Sequence, residues 1–289
     1  MKLAFGLRAV LAALLLGLAA HGLAQSPPGE ALKTKPYEPS IGQAGKDVIW
    51  VPSPDQVVER MLQMAQTTAG DFVVDLGSGD GKIVITAAQR YGARAMGVEF
   101  NPDMVALSRN NARKAGVADK VSIVQGDFFK IDFGKATVLT LYLLPDLNIK
   151  LRPKILALKP GTRVVSHSFD MQEWAPDELS ILDGKRAYFW VVPATVAGRW
   201  TLELDGSAKQ GAVDIAFEQE YQKLDGYAQL GEVLAGLRDA RLRGTQIRFA
   251  YVDARGTRRA FSGEVQGNRM AGEYRGDQGV QGRWRALKR

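Results

Sequence analysis

The 289-residue sequence contains no cysteine. That excludes a disulfide framework, a cysteine-ligated zinc site and thiol catalysis, and it removes cysteine usage as a guide to compartment. Histidine is nearly as scarce. Of the two present, only His167 lies beyond the first 24 residues, which argues against a histidine-rich metal site. No apolar run reaches the roughly 20 residues that a membrane-spanning helix needs. No dense basic run occurs before the last residues. The net charge of +7 therefore permits an acidic surface or a nucleic acid as partner without demanding one, and nucleic acid is not expected.

What is present begins with a signal-like segment. Lys2 and Arg8 precede an apolar run, Ala9 to Ala20, broken only by Gly17, and Gly22-Leu23-Ala24 supplies small residues for cleavage. Residues 1–24 read as a secretory signal, with an uncleaved anchor as the alternative, so the protein is expected to be exported, periplasmic or envelope-associated. Removing the segment lowers the net charge from +7 to +5. Residues 25–49, with Pro27, Pro28, Pro36 and Pro39, read as a linker, and order is expected to begin near Val48.

Residues 50–195 alternate strands with helices. Ser53-Pro54-Asp55-Gln56 reads as a helix start, with Ser53 as N-cap, Pro54 at the first helical position and Gln56 completing a capping box. Strands are expected at 72–76, 95–99, 121–125, 137–143 and 162–165, with helices at 81–90, 101–114 and 146–158 between them. A further strand at 186–192 is expected to form a hairpin with 179–182. The spacing predicts an α/β fold, a Rossmann-like doubly wound parallel sheet with helices on both faces. Residues 196–289 change texture to about eight short glycine-separated strands, which predicts a smaller antiparallel β-barrel or sandwich domain. Gly198-Arg199-Trp200 opens that region and Gly282-Arg283-Trp284 sits near its end, as would suit a sheet closing on itself.

The chain is organised around Val73-Val74-Asp75-Leu76-Gly77-Ser78-Gly79-Asp80-Gly81. A β-branched run ending in alternating glycines and opening a helix is a ligand-cradling turn, because glycine allows positive φ and close backbone approach. A dinucleotide fingerprint would need its third glycine at Lys82, and a P-loop would need G-x-x-x-x-G-K-[ST]. Neither matches. An acid before G-x-G-x-G, with a second acid, Glu99, ending the next strand, resembles the class I S-adenosylmethionine-dependent methyltransferases. Gly126-Asp127-Phe128 after strand three and Lys159-Pro160-Gly161 before strand five extend that resemblance over roughly residues 50–193. Val51-Pro52-Ser53-Pro54, the turn, and Tyr142-Leu143-Leu144-Pro145 together look like bacterial relatives of the lysine methyltransferases of the adenine nucleotide translocase and the ATP synthase c-ring protein. Those eukaryotic proteins lack the β-rich tail.

The resemblance implies S-adenosyl-L-methionine as cofactor, held by Asp75, Gly77, Ser78, Gly79, Gly81, Glu99 and Asp127. It puts Glu99 on the ribose hydroxyls, Asp127 on the adenine amino group and Asp75 near the methionine ammonium. Each residue also has a plainer reading. Asp75 would cap backbone amides, Asp127 would close a turn, and Phe128 and Phe129 would belong to the core. Tyr142 and Pro145, at the carboxyl end of strand four, are the candidate catalytic residues, and Tyr142 either orients the acceptor amine or simply packs. His167, at the end of strand five, is either a base or structural. The expected activity is in-line methyl transfer to a protein lysine, with a membrane or envelope protein as acceptor. The alternatives are a non-catalytic nucleoside-binding module and a methyltransferase whose small-molecule substrate is held by the β-rich domain.

Overall fold

Val73, Val74 and Leu76 are fully buried in β1 (Phe72–Leu76) because successive side chains enter opposite faces of a sheet covered on both sides. The computed structural model describes residues 37–205 and 212–289, so the signal-like segment 1–24 and residues 25–36 of the expected linker lie outside the described residues. After α1 (Asp55–Met64) and β1, the order is α2 (Lys82–Tyr91), β2 (Arg94–Glu99), α3 (Pro102–Lys114), β3 (Val121–Gln125), β4 (Val138–Leu141), α4 (Pro145–Leu156) and β5 (Arg163–His167). The hairpin β6 (Glu178–Leu182) and β7 (Lys185–Val191) follows. The sheet order is β3-β2-β1-β4-β5-β7-β6, with β7 antiparallel to both neighbours.

α1, α2 and α3 cover one face through Val57, Met61, Val84 and Val105, and α4 packs on the other with Leu151 and Ile155 beside Trp174 and Trp190. The sheet is therefore doubly wound as expected. The strand order reverses between β1 and β4, which opens a crevice at the carboxyl ends of these strands. Asn101 caps α3, accepting a hydrogen bond from Asp103 N at 2.8 Å, with Pro102 as first helical residue.

The start of α1 differs from the sequence expectation. Pro54 is the N-cap and no side chain caps the helix. Ser53 Oγ instead lies 2.9 Å from His167 Nδ1, 114 residues away. A buried imidazole outcompetes the helix amides for that hydroxyl, a choice that no local pattern encodes.

The second domain contains β8 (Gly198–Leu204), β9 (Val213–Glu220), β10 (Lys223–Leu230), β11 (Val233–Gly236), β12 (Arg238–Arg243), β13 (Gln246–Val252), β14 (Arg258–Gln266), β15 (Arg269–Gly276) and β16 (Gln281–Lys288). Eight of these close into an antiparallel barrel through the β9–β10 pairing, and β11 adds to β10. β8 pairs with β16, so the first and last strands do meet, and Trp200 and Trp284 both point inward. Trp200, Phe217, Phe249, Tyr251, Phe261 and Trp284 fill the lumen. The barrel interior is thus filled by the protein's own rings.

Candidate active site

The glycine turn sits at the crevice with φ of +80° at Gly77, +54° at Gly79 and +84° at Gly81. Gly77 N and Ser78 N both donate to Val98 O at 2.9 Å, which ties the turn to the end of β2. A Cβ at Gly79 would lie 2.7 Å from Trp50 Nε1, and one at Gly77 would lie 3.2 Å from Leu143 Cδ2. Bare backbone therefore forms the floor of a cleft. Asp75, Gly77, Ser78, Gly79, Glu99, Asp127 and Tyr142 all line it.

The carboxylates differ in setting. Asp75 is buried at the bottom, accepts from Thr140 Oγ1 at 2.6 Å, and is pushed from 3.8 up to about 7 by burial, with Asp80 and Glu99 adding repulsion. Glu99, at the tip of β2, accepts from Gly79 N at 2.9 Å and Asn101 N at 2.8 Å, one bond on each oxygen. Each oxygen keeps a further lone pair for a hydroxyl. Asp127 accepts from Phe129 N at 2.9 Å, closing the turn after β3, and from Lys46 Nζ at 2.9 Å. Lys46, then the Phe129 amide, hold its carboxyl below the usual range. An acid at the base, an acid at a strand tip, a third across the cleft and a glycine floor fit a nucleoside-bearing cofactor such as S-adenosylmethionine.

Two expected site residues stand apart. Gly81 does not line the cleft. It is the left-handed N-cap of α2, and a Cβ there would overlap Ser108 Oγ on α3. Pro145 is likewise outside the lining, as the first residue of α4. Their roles are to shape the turn and to start the helix that follows Tyr142. Phe128 is buried and lines the cleft, and Phe129 packs against it with ring centroids 4.8 Å apart.

The Tyr142 side of the cleft is aromatic. The Tyr142 ring centroid lies 4.0 Å from that of His167 and 6.4 Å from that of Phe169. His167 is 2% exposed, and burial, then the charge of Lys185, pushes its pKa from 6.5 down to about 4. With Nδ1 bonded to Ser53 and its ring against Tyr142, this imidazole is uncharged and packs behind Tyr142.

The linker expectation needs correction. Gly42 N donates to Trp50 O, Trp50 N to Gln43 O and Gly45 N to Val48 O, each at 2.9 Å, and Ala44 bridges Ile49. Residues 42–50 thus form a tight hairpin that walls the cleft opposite the sheet. Sequence reasoning missed this wall, along with Lys82, Phe100 and Met104, which also line the cleft. Gly42 and Gly45 ahead of Val48-Ile49-Trp50-Val51 were the available turn signal. The prolines around them masked it.

A model of the ANTKMT methyltransferase domain matches residues 75–178. A protein-lysine N-methyltransferase of Saccharolobus islandicus is 44% identical over 151 residues, covering 50% of this chain and 94% of that protein. The adenine nucleotide translocase lysine N-methyltransferase of Mus musculus is 38% identical over 120 residues, and the match spans 52% of its length and 41% of this chain. Among solved structures, an RNA methyltransferase from Salinibacter ruber in complex with S-adenosyl-L-homocysteine shares 53% identity with a TM-score of 0.50, covering 50% of this chain and 96% of that one.

Proposed function

The chain belongs to the ANTKMT-type S-adenosylmethionine-dependent methyltransferases, and on that premise we propose that it methylates a lysine side chain of a protein. When bound, the cofactor supplies an electrophilic methyl group on a sulfonium. In this reading Gly77, Ser78 and Gly79 hold it with Asp75, Glu99 and Asp127, and Gly81 sets the turn. Holding nucleophile and methyl in line contributes up to roughly 7–11 kcal/mol in favourable cases.

A lysine must reach the site as the neutral amine, against a free pKa of about 10.4. The observation that carries the proposal is the aromatic wall at the carboxyl ends of β4 and β5, where the half-buried Tyr142 stands against uncharged His167. Such a wall desolvates an arriving ammonium and lowers its pKa. The Tyr142 hydroxyl orients the amine, and Pro145 sets the start of α4 directly after this wall. No base is assigned, and the proton leaves to solvent.

A second reading has support of its own. The Salinibacter ruber relative is described as an RNA methyltransferase, and Arg241 and Arg248 stand directly opposite each other on the outer face of the barrel. Like charges so placed repel, and Asp177, 3.8 Å from Arg241, offsets part of that repulsion. One experiment separates the readings: methyl-labelled cofactor incubated with the full chain and an extract divided into envelope protein, RNA and small molecules. A labelled, protease-sensitive envelope band supports the lysine reading. Label in the RNA fraction, removed by ribonuclease, replaces it with the second. Export of the protein, proposed from residues 1–24, is tested by fractionating the same cells.

A further inference from the structure

Residues 42–50 reach the cofactor cleft from outside the doubly wound fold, and their hold on its far side is narrow. At the carboxyl end the segment is anchored firmly: Lys82 Nζ donates to Ser53 O at 3.0 Å and pairs with Asp55 at 2.9 Å, while Ser53 Oγ meets His167. At the tip, Val48 packs against the core, and the polar link to the opposite wall is Lys46. Its ammonium lies 2.9 Å from Asp127 Oδ2, 81 residues away in sequence, and 5.3 Å from the centroid of the Phe100 ring. It also lies 3.2 Å from its neighbour Asp47. Phe100 follows Glu99 at the end of β2, and Asp127 follows β3. Lys46 therefore bridges the hairpin to both strand ends that frame one side of the cleft.

From this geometry we infer that Lys46 is a positioning residue, the lock of a clamp that closes hairpin 42–50 over the cofactor and slows release of the demethylated product. The inference rests on the reading of this cleft as the cofactor site. Lys46 acts through Asp127 in two ways. It holds that carboxyl with Oδ2 toward the hairpin, and it pins the hairpin tip so that Trp50 stays against Gly79. A cofactor leaving the cleft must part Lys46 from Asp127. The pair is partly exposed, with side-chain exposures of 34% and 15%, so salt screens it and release accelerates as ionic strength rises. Phe100 adds a cation–π attraction that salt weakens less.

Trp50 supplies the readout. The other four tryptophans, Trp174, Trp190, Trp200 and Trp284, are at most 2% exposed in the two cores, so a fluorescence change on hairpin opening belongs to Trp50 and vanishes in Trp50→Phe. The experiment is stopped-flow release of S-adenosylhomocysteine from the full chain at low and high salt. Lys46→Gln is expected to release it about two- to fivefold faster than wild type at low salt, the range of partly exposed ion pairs, with a flattened salt dependence. Lys46→Arg is expected to keep most of the wild-type behaviour. An unchanged rate and salt dependence in Lys46→Gln would overturn the clamp. A wild-type chain that shows no saturable S-adenosylhomocysteine binding overturns the cofactor assignment of the cleft, and the clamp with it.

Discussion

Asp75 and His167 show how burial sets protonation at the residue scale. Asp75 keeps its proton to about pH 7, whereas its ordinary value is 3.8. Between those values the folded chain holds the extra proton, so stability is present at low pH and falls as pH rises toward 7, by on the order of a few kcal/mol. His167 runs the other way. It titrates near 4 in the fold against 6.5 ordinarily, so the unfolded chain takes the extra proton and stability present above 6.5 is lost as pH falls toward 4. The two slopes oppose each other in the shared window. Thermal melts at stepped pH are expected to show stability rising from pH 4 to 6.5 in Asp75→Asn and falling over the same range in His167→Gln. Cofactor affinity in the wild type is expected to rise with pH through 7, as Asp75 ionises to meet an ammonium group, and Asp75→Asn should flatten that rise in calorimetric titrations.

At the scale of elements, the glycine turn was legible because its geometry is local. Three positive φ values at alternate positions need glycine, and glycine stands at each. Gly81 adds a constraint from a distant helix. Gly81→Ala is expected to cost about 1–3 kcal/mol in denaturant unfolding, from overpacking against Ser108 and a left-handed φ. Ser108 Oγ is buried without a hydrogen-bond partner, so Ser108→Ala alone should cost little. In the double variant it should recover part of the loss, since the next atom, Ser108 Cβ, lies at 3.2 Å. β12 was not legible. Arg238-Asp239-Ala240-Arg241-Leu242-Arg243 reads as polar, yet Leu242 is fully buried in the barrel, and the register shifts between Arg238 and Arg241, where Asp239 has a φ of +52°. A bulge breaks the alternation that identifies a strand.

At the scale of the whole molecule, the barrel is joined to the methyltransferase sheet by specific contacts. Trp174 stacks on Tyr221 with centroids 6.1 Å apart, Gln222 Nε2 donates to Ala175 O at 2.6 Å, and Ala194 N donates to Gly244 O at 2.8 Å. Asp177, buried beside this junction, accepts from Val191 N at 2.9 Å and lies 3.8 Å from Arg241. Burial pushes its pKa up, and the backbone bond, Arg243 and Arg241 oppose that shift. Gln222→Ala leaves the Ala175 carbonyl without its partner, and is expected to cost about 1–3 kcal/mol. Calorimetric scanning should then show the barrel and the methyltransferase domain melting less cooperatively than in wild type. The closed barrel shares no sheet with the other domain, so side-chain and loop contacts such as these, with Arg243 over Phe189 and Arg152 over Tyr221, couple the two.

The sequence by itself determined the doubly wound sheet, the cradle from Asp75 to Gly81, the acid at Glu99 and the change to β structure near residue 196. Each follows from a pattern only a few residues long, set by backbone sterics and the two-residue and 3.6-residue periods. Tertiary structure alone decided that Ser53 leaves its helix for His167, that Lys46 crosses the cleft to Asp127, that Tyr142 rests on a neutral imidazole, and that the barrel interior is full. Those outcomes depend on which residues far apart in the chain are brought within about 3–4 Å of one another, and a linear pattern carries no record of that distance.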